Sequence, residues 1–352
     1  MIALLTLLLA PLAQSATPAR AASSPQAQTA SWQAAAAYSE QRGGLALVVR
    51  RGPEVLFEHY AEGHGPDKPW MLASGSVGIC ALAALCAAED GLLQLDERVS
   101  DTITEWRGVA GKDAITVRQL LALESGIAAN NAKVRESTTA DHYQAALEAP
   151  MVGLPGESFR FGPTAWFVLG ALLDRKLASA GGESLGFIRQ RLLEPLGIAV
   201  HYWGRDSGGR PLLPTGAYLT AREWSKLGCL LVDGGRAGGK QVVSAEHMAL
   251  LRQPSRLEPT YGLGFWLHGG LDGAQSVEGP QGASDLSGVS RVETRAGELP
   301  NDLLFSAGFG RQRLYAFPTQ GLVVVRQGIP ADDWSDVDFL RLLLGLDPPP
   351  VR

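Results

Sequence analysis

The chain has 352 residues, 45% of them hydrophobic and 19% charged, with a mean hydropathy of +0.02, enough to bury one large or two moderate cores. A formal net charge of −5 and a pI near 5.7, with no run of like charges, exclude the basic footprint that holds nucleic acid or an anionic membrane. Three cysteines, Cys80, Cys86 and Cys229, do not make a disulfide framework. They read as buried small hydrophobes, with a Cys80–Cys229 bridge as the alternative in an oxidising compartment.

The N-terminus, MIALLTLLLAPLAQSATPARAASS, is an apolar run too short to span a bilayer, followed by small residues. This predicts a signal peptide over residues 1–21, cleaved after Ser15 or Ala21, and a periplasmic or secreted protein with no stable membrane insertion after cleavage. The missing basic n-region leaves an uncleaved anchor as the alternative. Residues 22–30 are rich in Ala, Ser, Gln, Pro and Thr and predict a flexible linker ahead of a domain over residues 31–346.

Gly43–Gly63 alternates on both sides of Arg51-Gly52-Pro53 and predicts a hairpin of antiparallel strands. From Ser76 to Asp90 the chain is apolar on nearly every face, as in a helix surrounded by protein. Ser74, at its N-terminal end, would have helix-end N–H groups around it, a setting for a hydroxyl nucleophile and its oxyanion site. Thr116 carries a capping signal, and further helices are expected at Thr139–Glu148, Ala165–Ala178, Ser184–Leu196, Ala221–Val232 and Ser244–Leu251. Leu303–Gly328 predicts two or three strands and Ser335–Leu344 a last helix, while Trp106, Trp166, Trp224 and Trp266 fall in apolar runs and read as core. Strands first, helices in the middle, then strands and a helix indicate an α+β (α/β) fold. Its antiparallel sheet would be assembled from residues 31–70 and 255–346, flanked by helices, with a helical subdomain inserted over 71–254.

The line Trp70–Trp106, WMLASGSVGICALAALCAAEDGLLQLDERVSDTITEW, resembles the nucleophile region of the penicillin-recognising serine hydrolases. These are class C β-lactamases, DD-peptidases, related esterases and 6-aminohexanoate-dimer hydrolases, whose segment runs "ASxSKSFTA…EEGKLSLDDPVSxYLPE". The likeness continues at Ile115–Ile127 ("ITVRHLLTHTSGL" in the family), Pro155–Gly170 ("PGExFxYSNTGYxLLG"), Leu193–Gly197, Tyr218–Gly228 and Tyr261–Trp266. Ser306–Gln312, SAGFGRQ, resembles the "AxGxxGQ" of the 6-aminohexanoate-dimer hydrolase branch, so the resemblance covers about Gly43–Gly328. It implies the β-lactamase/DD-peptidase fold.

The same resemblance places Ser74 on the nucleophile. One helical turn later, on the same face, the family uses a lysine to take the serine's proton; here that residue is Val77. The family's Tyr-x-Asn element becomes Phe161-Gly162-Pro163, which lacks the phenolic oxygen, the side-chain amide and one backbone N–H. Ser306, Gly308 and Gln312 fall on the strand lining the cleft, and the N–H groups of Ser74 and Phe309 on the oxyanion site. A serine hydroxyl without a positioned base is a poor nucleophile, and losing one base costs about 10²- to 10⁴-fold in rate. Two readings follow. One is an exported, catalytically degenerate member whose cleft, repacked as apolar around Val77 and Phe161, keeps a small ester, amide or peptide ligand. The other is an active serine hydrolase acting through an acyl-Ser74 intermediate with an unfamiliar base. No cofactor is implied, and the sequence leaves the oligomeric state open.

Other constellations carry less. Ser74-Gly75-Ser76-Val77-Gly78 imitates a nucleophile elbow centred on Ser76 but lacks its first glycine. Gly234–Gln241 imitates a P-loop but has Gln where Ser or Thr must meet magnesium, and reads as a turn. His59 and His64 lack a third metal ligand and read as surface histidines. Asp141, His142 and Tyr143 read as a satisfied surface trio.

Overall fold

The two ends of the chain meet in one sheet. The structure, a computed structural model, describes residues 24–136, 139–271 and 299–346, so the predicted signal peptide lies outside the described residues. Helix α1 (Pro25–Glu40) leads into β1 (Gly44–Arg51), β2 (Glu54–Tyr60), β3 (Trp70–Met71) and α2 (Val77–Glu89). The middle section holds α3 (Val117–Leu121), α4 (Ala132–Arg135), α5 (His142–Leu147), α6 (Thr164–Leu177) and α7 (Ser184–Ile188). Then come β4 (Tyr202–Trp203), β5 (Ala217–Leu219), α8 (Ala221–Val232), β6 (Arg236–Ala237), β7 (Lys240–Gln241) and α9 (Ala245–Leu250). The chain returns through β8 (Trp266–Leu267), β9 (Leu304–Gly308), β10 (Gln312–Phe317) and β11 (Leu322–Gly328), and closes with α10 (Asp336–Leu343).

The main sheet runs β2-β1-β11-β10-β9-β8, every pair antiparallel. β1 lies on β11 from Gly44↔Gly328 to Arg51↔Leu322, which joins the two chain ends. The side-chain period of two then sorts the layers. Leu314 and Val323 face α8, where Gly228 lets the backbones close: a Cβ there would sit 2.3 Å from Val323 and 2.9 Å from Leu314. Arg313 and Tyr315 point the other way, to Asp336 and Phe339 of α10. Helix α2 runs through the middle and is buried from Val77 to Ala87. Its small residues admit close neighbours, for a Cβ on Gly78 would be 2.8 Å from Phe265. Thr116 and Gln119 complete the expected capping box of α3. The four tryptophans read as core are all fully buried.

Three expectations need correction. Residues 25–30, within the stretch 22–30 read as linker, belong to α1: Ser24 caps Ala27 N–H at 3.2 Å, Pro25 opens the helix, and alanine favours it. What composition could not show is the anchor, Trp32, Ala35, Ala36 and Ser39, buried beneath α10 and β1. The helix expected to run from Ser184 to Leu196 gives way at Arg189–Leu193 to a π-helical turn. Two of the trio are not at the surface: His142 and Tyr143 are 5% and 3% exposed because α5 packs on α6, while Asp141 caps the helix half-buried. There His142 Nδ1 lies 3.4 Å from Asp206 Oδ2, and Tyr143 Oη 3.3 Å from Ser184 Oγ. The cysteines are free as read, Cys80 and Cys86 buried and Cys229 half-buried, and the alternative Cys80–Cys229 bridge is not formed: the Cys80 thiol donates to Leu213 O at 3.3 Å and the Cys229 thiol to Gly52 O at 3.2 Å, and burial pushes the Cys229 thiol up to about 11. Among the described residues no helix is long and apolar enough to cross a membrane.

Candidate active site

Strand β3 pairs with β5 through Trp70↔Leu219 and Met71↔Tyr218, and Leu72 N–H continues the pairing to Ala217 O at 2.9 Å. The chain then bends at Ala73, whose φ of +48° lies in the left-handed region that costs a non-glycine residue about 1–3 kcal/mol. A 3₁₀ turn over Ala73–Ser76 feeds α2, and Val77 N–H closes it on Ser74 O. The bend leaves Ser74 half-buried between fully buried neighbours. Ser76 is structural, since its hydroxyl accepts Ala217 N–H at 3.2 Å.

The end of β9 closes on this bend. A Cβ on Gly308 would fall 2.1 Å from Leu72 O, 2.7 Å from Gly75 N and 3.2 Å from Ser74 N, so only glycine lets the two backbones meet. β8 pairs with Leu304 and Phe305 only. Ser306 and Gln312, expected to line the cleft, are instead 2% exposed and serve as braces. Ser306 Oγ donates to Gly75 O at 3.1 Å, fastening β9 to the Ser74 turn. Gln312 Nε2 donates to Gly328 O at 2.6 Å, and its Oε1 accepts Gly328 N–H at 3.1 Å. A polar side chain turned inward on a strand must spend its groups on backbone, and both do. Phe309, next to Gly308, is 47% exposed.

Val77, one turn beyond Ser74, is 6% exposed and part of the main apolar core. Phe161 packs on that core, its ring 5.5 Å from Trp266 and perpendicular to Tyr261 at 6.3 Å. The Tyr261 hydroxyl is buried without a hydrogen-bond partner, and burial pushes its pKa far above the ordinary phenol value. Pro163 forms the N-terminus of α6, where its carbonyl accepts from Trp166 and Phe167 N–H at 3.1 Å each. The Phe161–Pro163 loop is fastened to the segment after Ile127: a Cβ on Gly162 would lie 2.3 Å from Ala129 O, and Thr164 Oγ1 donates to Ala129 O at 2.7 Å. Asn130 Nδ2 donates to Phe161 O at 3.3 Å, which puts a carboxamide beside this loop that no sequence spacing announced. The three positions thus carry no titratable side chain.

Among the described residues no group of three or more His, Cys, Asp or Glu could hold a metal. His59 instead pairs with Glu40 at 2.7 Å, and His64 packs its ring against Trp70 at 5.9 Å. Gly234–Gln241 forms the tight β6–β7 ribbon.

A family model described as Beta-lactamase matches residues 26–326. A 6-aminohexanoate-dimer hydrolase from Paenarthrobacter ureafaciens is 26% identical over 215 residues, 56% of this chain and 54% of that protein, so the match spans about half the length of this curated relative. Among solved structures, a Bacteroides dorei protein assigned as a β-lactamase superposes with a TM-score of 0.69 at 17% identity, covering 90% of this chain and 96% of its own. A family VIII carboxylesterase superposes with a TM-score of 0.67 at 16% identity, over 90% and 96%. At these identities the solved structures establish a shared fold, the antiparallel sheet with flanking helices described above.

Proposed function

The chain belongs to the β-lactamase family of serine hydrolases, and from that premise we propose that it is an exported, catalytically silent or very weak member whose cleft still holds a carbonyl-bearing ligand. The observation that carries this reading is Val77: the residue one turn after Ser74 is apolar and enclosed in the core, so no side chain at that place can take the serine's proton. Phe161 and Pro163 repeat the loss on the loop that opens α6. What supports a kept binding site is backbone, namely the bend at Ala73 and the Gly308 contact that brings β9 against Ser74 N. Exposed Met71 and Tyr202, which share Tyr218 as strand partner, and exposed Phe309 after Gly308 favour an uncharged ester, amide or short peptide with an apolar acyl group.

Purified protein should not hydrolyse nitrocefin or short amides, and a fluorophosphonate or labelled penicillin should leave Ser74 unmodified. Any trace ester cleavage should be the same in Ser74→Ala. The half-buried Ser74 presented on a strained bend favours the second reading, an active esterase or amidase. Activity that disappears with Ser74→Ala would establish that reading instead. Export rests on the apolar N-terminal run alone. The mature protein should begin between Ala16 and Ala30 in the periplasm or medium, and N-terminal sequencing that finds intact Met1 in the cytosol would overturn this.

A further inference from the structure

Two fully buried side chains outside the proton-transfer chemistry, Gln312 and Arg326, grip the turn that follows Gly308. That turn is costly: Gly310 has φ +83° and Arg311 φ +59°, and left-handed backbone persists only where surroundings over-determine it. Gln312 Nε2 lies 3.2 Å from Phe309 O and 3.3 Å from Gly310 O as well as 2.6 Å from Gly328 O. Arg326 Nη1 donates to Gly310 O at 3.3 Å and Arg311 O at 2.8 Å. The three carbonyls of Phe309, Gly310 and Arg311 are therefore all drawn towards side chains of β10 and β11.

Each gripping residue is itself anchored to something that matters for Ser74 or for the fold's N-terminal helix. The Gly328 carbonyl that holds Gln312 also accepts Trp70 Nε1–H at 3.1 Å, and Trp70 opens the strand leading to Ser74. One peptide group thus ties the strand before the serine to the turn after Gly308. Arg326 reaches back to α1 and its exit, with Nε donating to Ser39 Oγ at 3.0 Å and Nη2 to Arg42 O at 2.7 Å. Its guanidinium also lies 4.2 Å from the Trp334 ring centroid, which fixes its plane.

We propose that Gln312 and Arg326 are positioning residues, a clamp that holds the Phe309 N–H beside the Ser74 N–H as a preorganised site for a carbonyl oxygen, and that α1 braces it through Ser39 and Arg42. The inference rests on the reading that this cleft binds a carbonyl ligand. Preorganised N–H donors work because they need no reorganisation when the ligand arrives, so a loosened turn should lose affinity while the sheet stays folded.

The test measures amide hydrogen exchange over residues 305–329 and binding of benzamide, an uncharged carbonyl ligand that needs no reaction at the serine, followed by ligand-observed proton NMR. In Gln312→Glu and in Arg326→Lys, exchange of the Gly328 and Ile329 amides, which donate to Gln312 Oε1 at 3.1 Å and to Gly43 O at 2.9 Å, should rise by at least about tenfold with α6 unchanged, and benzamide binding should weaken by a similar factor. Ser39→Ala, which removes only one acceptor of Arg326, should give a smaller rise at the same amides and remain folded even where the other variants do not. Unchanged exchange at Gly328 and Ile329, or a rise spread evenly over the sheet, would overturn the clamp. Wild-type protein that ignores benzamide while the exchange pattern responds as expected would sink the carbonyl-binding reading and leave the clamp standing.

Discussion

Val77→Lys alone should lower stability by several kcal/mol and confer no activity, whereas adding Phe161→Tyr and Pro163→Asn should restore most of the loss and allow acylation at Ser74. Val77 is 6% exposed, so an ammonium there sheds its water with only hydrocarbon in exchange. Such a lysine has a depressed pKa in the folded protein. The unfolded chain then binds the proton more tightly, so the penalty is largest near neutral pH and shrinks as pH rises towards about 10.4. A tyrosine at 161 would bring an oxygen to a ring already held between Trp266 and Tyr261, and an asparagine at 163 suits the N-terminal position of α6. Melting temperatures at two pH values and incorporation of labelled penicillin decide the matter. A single mutant as stable as its parent would mean a wet, open pocket; a triple mutant that stays unacylated would mean that the cleft has changed shape.

Asp336→Ala should be among the most damaging single substitutions, costing about 3–5 kcal/mol, because it strands a buried charge. Asp336 opens α10 and receives Arg313 Nε at 2.6 Å and Nη2 at 3.0 Å, with both side chains fully enclosed. The Tyr315 hydroxyl donates to the same carboxylate. The cost comes from the partner left behind, so Arg313→Met combined with Asp336→Leu should recover most of the stability that Asp336→Ala removes. Urea unfolding of the three proteins gives the comparison. An Asp336→Ala midpoint within error of the parent would show that α10 is held by its apolar face alone.

Local pattern was enough to read the β1–β2 hairpin, α2, the strands from Leu304 to Gly328 and α10, because alternation, helical spacing and caps such as Thr116 and Ser335 act within a few residues. It failed where stability came from elsewhere. Residues 24–30 look like linker until Trp32 finds Phe57 at 6.1 Å and α1 finds α10. Strands of two or three residues such as β3, β5 and β8 carry too few side chains to show a period. His142 is polar in sequence but buried in fact, since Asp206, 64 residues away, satisfies it.

Composition is a property of the sequence: no folding can give Val77 an amine or Phe161 a hydroxyl, so the side-chain chemistry at these two positions was readable before any coordinates. Placement is not. Ser306 braces Gly75 across 231 residues, and Arg326 reaches Ser39 across 287. Contacts of that separation leave no periodic trace along the chain; they are chosen only when the sheet brings its two ends together. Each buried polar group must then find whichever backbone partner lies within reach.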